Sequence, residues 1–241
     1  MRLSFTSLML IAACGAAQAQ TFPCRAQSPA TRTPVIELYT SEGCSSCPPA
    51  DRWLSGLKGA AAQGQVVAQA FHVGYWDHIG WIDRFAAPAY TARQREIAVR
   101  HRSRNVYTPQ LVRDGADWRD YAGALAAPPE AAAVSLRLEK SGSDAIEAQV
   151  TPTTASTAWA AYWTVTEHGH ASKVAAGENA GELLRHDFVV RQYVDAGQYR
   201  GTQTLKLRPI AATSGHPQQV NLVVVEPRSG KPLQALSLVC S

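Results

Sequence analysis

Apolar and polar residues are patterned in two different ways along this chain. Up to about residue 127, short apolar runs are followed by stretches with helical spacing. PVIELYT (34–40) is β-branched and apolar, the signature of a short buried strand. After it Ala50, Leu54, Leu57 and Ala61 recur at helical spacing, with Trp53 beside them and Gly64 suited to the helix end. QVVAQAFHV (65–73) reads as a second strand, and GYWDHIGWIDRFAAP is aromatic, glycine-broken and irregular. AYTARQREIAVRHR then places Tyr90, Ile97, Ala98 and His101 on one helical face. NVYTPQLVRDG reads as a strand interrupted by proline and closed by an Asp-Gly turn. DWRDYAGALAA predicts a short amphipathic helix carrying Trp118, Tyr121, Ala122 and Leu125. Three strand–helix repeats predict an α/β layer.

At APPEAAA (127–133) the pattern changes. VSLRLEK, AIEAQVTP, WAAYWTVTEH, LRHDFVVRQYV, GTQTLKLRP and QVNLVVVEP follow as short β-type runs separated by turn residues. That spacing predicts a sandwich of six or seven strands. The expected organisation is an α/β domain over 31–127 followed by an all-β sandwich-like domain over 133–241.

The chain opens MRLSFTSLMLIAACGAAQAQ, with Arg2 ahead of an apolar run too short to span a bilayer and a small-x-small site ending at Ala19. Residues 1–19 therefore read as a signal peptide, which predicts an exported protein, periplasmic or secreted. The string IAAC ahead of Gly15 gives the alternative of a lipid anchor on Cys14. The formal net charge of +4 is too modest and too dispersed for a nucleic-acid binder. The basic run from Arg93 to Arg104 reads as a solvated helix face with partners such as Glu96.

Export changes the meaning of the cysteines, because thiols pair in an oxidising compartment. Cleavage after Ala19 leaves Cys24, Cys44, Cys47 and Cys240. Cys44 and Cys47 form a C-x-x-C pair between a strand and a helix, and Cys24 and Cys240 remain as a second, end-to-end pair. A strand followed by C-x-x-C at a helix start inside an α/β unit is the thioredoxin-like redox pattern. Cys44, nearer the helix N-terminus, is then the attacking thiol and Cys47 the resolving one. Glu37, in a strand that reads as buried, is a possible proton relay to Cys47, with a salt bridge to an arginine as the competing reading. Glu42 reads as solvated.

ELYTSEGCSSCPPAD, FHVGYWDHIGW, YTARQR and VYTPQ, joined by the weaker GENAGELLRHDFVV (177–190), resemble a family of exported thioredoxin-like proteins known chiefly as a domain of unknown function. The resemblance implies that Thr108-Pro109 supplies a cis-proline loop beside the cysteines, where a substrate peptide would lie. The pattern departs from ordinary thioredoxins in having Ser45 and Ser46 between the cysteines and Pro48-Pro49 after them. The combined expectation is a thiol–disulfide oxidoreductase acting through Cys44, Cys47, Thr108 and Pro109, with no cofactor. Its partners would be thiols or disulfides of exported proteins. Two other classes stay open. One is a copper or zinc binding or delivery protein using Cys44, Cys47 and a histidine, with His72 nearest and His78 and Asp77 beyond it. The other is a non-catalytic binding protein in which the cysteine pair is inert.

Overall fold

The structure, a computed structural model, describes residues 24–126 and 128–240. The signal-peptide expectation and Cys14 fall outside these residues. In chain order the elements are β1 (Arg25–Gln27), β2 (Val35–Thr40), α1 (Pro48–Ser55), α2 (Lys58–Ala62), β3 (Val67–His72), a 3-10 segment (Gly74–Ile79), α3 (Pro88–Arg100), β4 (Gln110–Arg113) and β5 (Ala116–Asp117). There follow β6 (Val134–Ser141), β7 (Ala145–Pro152), β8 (Ala158–Glu167), β9 (His170–Lys173), β10 (Leu183–His186), β11 (Val189–Arg200), β12 (Gln203–Leu207), β13 (Gln218–Val225) and β14 (Pro232–Leu238). No helix among the described residues is long and apolar enough to cross a membrane.

One sheet runs through both halves of the chain, in the order β14-β13-β8-β11-β3-β2-β4-β5. A second sheet holds β1-β6-β7-β12, and β9 and β10 pair as a ribbon. Strands β2 and β3 are buried at every position, as continuous apolar runs in a covered parallel pair should be. Side chains alternate across a strand. Ile36 and Leu38 of β2 therefore pack with Ala50 and Leu54 of α1, whereas Tyr39 packs on the other face with Phe71, Tyr90 and Ile97 beside α3. At the opposite end of the long sheet, Trp159, Trp163 and Leu222 pack face to face against Leu136, Leu138 and Val150 of the second sheet. A Cys24–Cys240 disulfide links the residue preceding β1 to the chain end beyond β14.

The expected α/β thioredoxin-like fold with a separate sandwich behind it does not hold. The described residues are mostly β, with three short α-helices against fourteen strands. The first predicted helix breaks at Gly56 into α1 and α2. The helix predicted over DWRDYAGALAA is absent. Asp114 and Gly115, both with positive φ, turn the chain into the β4–β5 hairpin instead. Gly115 is needed there twice over, since a Cβ would stand 2.7 Å from the Gly230 carbonyl oxygen. Trp118 and Tyr121 still cover the core beside Leu54, but from irregular chain. The run LRHDFVVRQYV is two strands, parted where Phe188 takes φ 57°. Finally, β11 pairs in parallel with β3, so the later strands extend the earlier sheet rather than standing apart from it.

A buried ion pair of the first half, bonded to Tyr162 and Tyr193 of the second, ties the two together across the α3 face. Arg93 donates to both oxygens of Glu37, from Nη2 at 2.5 Å and Nε at 3.2 Å. The hydroxyls of Tyr39 and Tyr162 add bonds of 2.7 Å each. Arg93 also lies 4.0 Å over the Tyr162 ring. Arg93 is therefore not on a solvated face. Burial by itself raises the Glu37 pKa, but Arg93 and the two tyrosine hydroxyls outweigh it and hold the carboxyl below its usual value. The group thus stabilises the fold at neutral pH, and that contribution is lost as pH falls below the ordinary glutamate range of about 4.3. Replacing Arg93 by alanine strands a buried carboxylate, a change that typically costs about 3–5 kcal/mol. Urea unfolding of Arg93→Ala at neutral pH should show a loss of that order; a loss under about 1 kcal/mol would mean the pair is not the tie.

Candidate functional site

Beyond β2 the chain enters a tight loop, in which the Cys44 N–H donates to Ser41 O and the Cys47 N–H to Cys44 O, both at 3.2 Å. Cys44 and Cys47 are joined as a disulfide, and Cys47 stands at the N-cap of α1. Pro48 and Pro49 fit the first helical turn, where N–H groups lack intrahelical acceptors. Both cysteines are buried, at 1 % and 0 % exposure, beneath the exposed Ser45 and Ser46. The Ser46 hydroxyl lies 3.4 Å from the Cys44 sulfur.

Three distant segments hold this loop. Trp76, in the 3-10 segment, packs so tightly on Gly43 that a Cβ there would lie 2.9 Å from the tryptophan Cβ. The same indole donates to the Thr108 hydroxyl at 2.7 Å, so Thr108 shares a wall with the cysteine loop. The Thr108–Pro109 bond is cis. From the segment before β10, Asn179 donates from one amide nitrogen to the carbonyls of Glu42 at 2.8 Å and Cys44 at 3.0 Å. Its neighbour Glu178 accepts the Ser45 N–H at 2.9 Å, and that bond lowers the Glu178 pKa.

Behind the loop lies a buried polar cluster. Thr40, an even-numbered residue of β2, faces α1 and donates to Asp51 Oδ2 at 2.9 Å. His72, at the end of β3, pairs through Nδ1 with Asp83 Oδ2 at 2.7 Å. Asp83 also accepts the Glu42 and Phe85 N–H groups, each at 2.9 Å. Burial opposes ionisation of Asp83, yet His72 and these N–H donors hold its pKa down to about 2. His186, from β10, sets Nε2 at 3.2 Å from Glu42 Oε1, within ion-pair range but without the alignment of a hydrogen bond. Its Nδ1 lies 4.0 Å from Asp51 Oδ1. Burial raises the Asp51 pKa despite the two histidines nearby. Trp81 donates to the second oxygen of Glu42 at 2.8 Å.

The expected site residues divide accordingly. Trp76 touches Gly43, the residue before Cys44, and also Thr108, the residue before Pro109. Glu37 does not join them, because an odd-numbered residue of β2 faces α3, and both its oxygens are taken by Arg93 and two tyrosines. Glu42 is buried rather than solvated, at 0 % exposure. His72 converges with Asp51 and His186, while the cysteines are bonded to each other. His78 is exposed and occupied with the Tyr75 carbonyl. Sequence reasoning missed Asp51, Asp83, Glu178, Asn179 and His186. The similarity of GENAGELLRHDFVV pointed to the last three without giving them a role.

Comparison with solved structures finds an Agrobacterium tumefaciens protein whose crystal structure is 24% identical, covering 86% of this chain and 94% of that one, with a TM-score of 0.65. A second is HBP35 of Porphyromonas gingivalis, 12% identical, covering 87% of this chain and 76% of that one, with a TM-score of 0.60. At these identities the likeness is one of fold. No protein with a curated description matches the chain. The family described as "Protein of unknown function (DUF1223)" matches residues 35–226, most of the chain, and this protein belongs to that family.

Proposed function

We propose that this protein acts outside the cytoplasm as a thiol–disulfide exchange protein through Cys44 and Cys47. The observation that carries the reading is the position of the pair: a disulfide closing the turn that opens α1, with the Thr108–Pro109 loop against the same wall. Free N–H groups and the helix dipole at such a position favour a thiolate over a thiol. In one direction, the Cys44 thiolate attacks a partner disulfide and releases one partner thiolate; Cys47 then attacks the mixed disulfide and releases the second. In the other, a partner thiolate attacks Cys44 and expels the Cys47 thiolate, and a second partner thiol completes reduction of the pair. A second disulfide, Cys24–Cys240, suits a chain that works in an oxidising compartment.

Burial of both cysteines makes loop opening part of the reaction. Glu178 and Asn179 act as a latch, the first occupying the Ser45 N–H and the second gripping the Cys44 carbonyl. While the latch is shut, the Ser45 donor is unavailable to a Cys44 thiolate.

Cys47→Ala should trap mixed disulfides with exported proteins through Cys44, seen as thiol-sensitive adducts on non-reducing gels. Trapping by Cys44→Ala instead would reverse the roles, and no adduct from either variant would leave the pair structural. Asn179→Ala tests the latch. Loss of about 1.4 kcal/mol of local closure makes the open loop about tenfold more populated. Reduction of the Cys44–Cys47 bond by dithiothreitol, read by alkylation and mass spectrometry, should then accelerate by about that factor. An unchanged rate would remove Glu178 and Asn179 from the account of access.

A further inference from the structure

The polar cluster behind the cysteine loop contains more lone pairs than protein partners. Asp51, His72 and His186 are 6 %, 0 % and 2 % exposed, and one donor atom from each lies within 4.8 Å of the others. His72 Nε2 and His186 Nδ1 have no hydrogen-bond partner. A buried polar atom left unpartnered typically costs about 1–3 kcal/mol. Here three imidazole nitrogens are left so in one place, the third, His186 Nε2, having Glu42 only at ion-pair distance.

The opposite side of each ring is braced. Asp83 holds His72 Nδ1 and Glu42 faces His186 Nε2. Thr40 holds one oxygen of Asp51, and the other stands 4.0 Å from His186 Nδ1. A carboxylate behind a histidine, with the far nitrogen free, is the arrangement that orients metal-ligating imidazoles. Charge agrees. Glu42, Asp51 and Asp83 are all buried, and among the described residues their ion-pair partners are histidines and not lysine or arginine. A divalent cation between neutral imidazoles would balance most of that negative charge.

We propose that Asp51, His72 and His186 form a binding site for a divalent transition-metal ion of the zinc class. The set of two imidazoles and one carboxylate favours such a borderline ion over calcium or magnesium, which take oxygen ligands. His72 ligates through Nε2, His186 through Nδ1 and Asp51 through Oδ1. Donors around a tetrahedral ion at ~2.0–2.1 Å lie about 3.3 Å apart, so binding draws the three together by up to about 1.5 Å. A surface groove lined by Asp51, His186, Ser45, Pro49, Glu178 and Leu184 gives the ion a way in and leaves room for a water ligand. The cysteines are not ligands, so the site is independent of the exchange chemistry proposed above.

The test uses tag-free protein with both disulfides intact, so that no thiolate can bind. After chelator treatment and removal of the chelator, titration with Zn2+ should give one ion per chain and raise the unfolding temperature. Co2+ should give visible d–d bands without a thiolate charge-transfer band. Asp51→Asn and His186→Gln should abolish the zinc-dependent shift, and the exposed-residue control His78→Ala should keep it. Asp83→Asn, which removes the carboxylate charge behind His72 while keeping an acceptor for the Glu42 and Phe85 N–H groups, should weaken zinc by about 10–100-fold. If the ligand variants fail to fold, two-bond 1H–15N spectra of the wild type decide, since Zn2+ must move the signals of two imidazoles other than His78. The proposal is overturned by folded wild type that takes up no stoichiometric ion, by binding that survives both ligand substitutions, or by zinc shifts confined to His78.

Discussion

The organisation of the site depends on a short parallel contact between β3 and β11. The Ala70 N–H donates to the Phe188 carbonyl at 2.8 Å, and Val189 stands opposite Ala70. Through this contact the sheet begun by β2, β3 and β4 continues into β11, β8, β13 and β14. The residues just before β11 are thereby delivered to the C-terminal end of β2 and β3, where the cysteine loop begins. Glu178, Asn179 and His186 come from that stretch. Without the contact the loop would keep its disulfide and lose its latch, and the polar cluster would lose one of its two histidines.

The face of β2 decides which chemistry each charged group can join. Even-numbered positions look toward α1, and Thr40 there orients Asp51. Odd-numbered positions look toward α3, and Glu37 there meets Arg93. One carboxylate thus stabilises the join between the halves, and another lies one helical turn beyond Cys47. The Asp51 N–H donates to the Cys47 carbonyl at 3.1 Å, the first intrahelical bond of α1.

Much of the local structure was legible from the chain. The period-2 and continuous apolar runs located β2, β3, β6, β7, β8, β12 and β13 to within a few residues, because burial on one or both faces leaves a direct trace in residue type. The cysteine pair and Thr108–Pro109 were legible as motifs. What failed was long-range. Trp118, Tyr121 and Leu125 have helical spacing, but Asp114 and Gly115 turn the chain into a hairpin first, and the Asp120 carboxylate accepts the Gly123 N–H in a turn. Three strand–helix repeats implied an α/β layer, yet nothing in the residues announced that β11 would pair with β3 across more than a hundred positions. Glu42 and Arg93 read as solvated because the partners that bury them are His186 and Trp81 in one case, and Glu37 and Tyr162 in the other. None of those partners is a sequence neighbour.

The central claim is that the Cys44–Cys47 bond is an exchanging pair and Cys24–Cys240 a structural one. Its most direct test is the reduction potential of each bond in the folded protein, set by glutathione buffers and read by differential alkylation and mass spectrometry. The account predicts a Cys44–Cys47 potential within the range of exchange proteins, about −270 to −120 mV, with Cys24–Cys240 still oxidised throughout. A Cys44–Cys47 potential below about −300 mV, the range of structural disulfides, or reduction that occurs only as the protein unfolds, would contradict it.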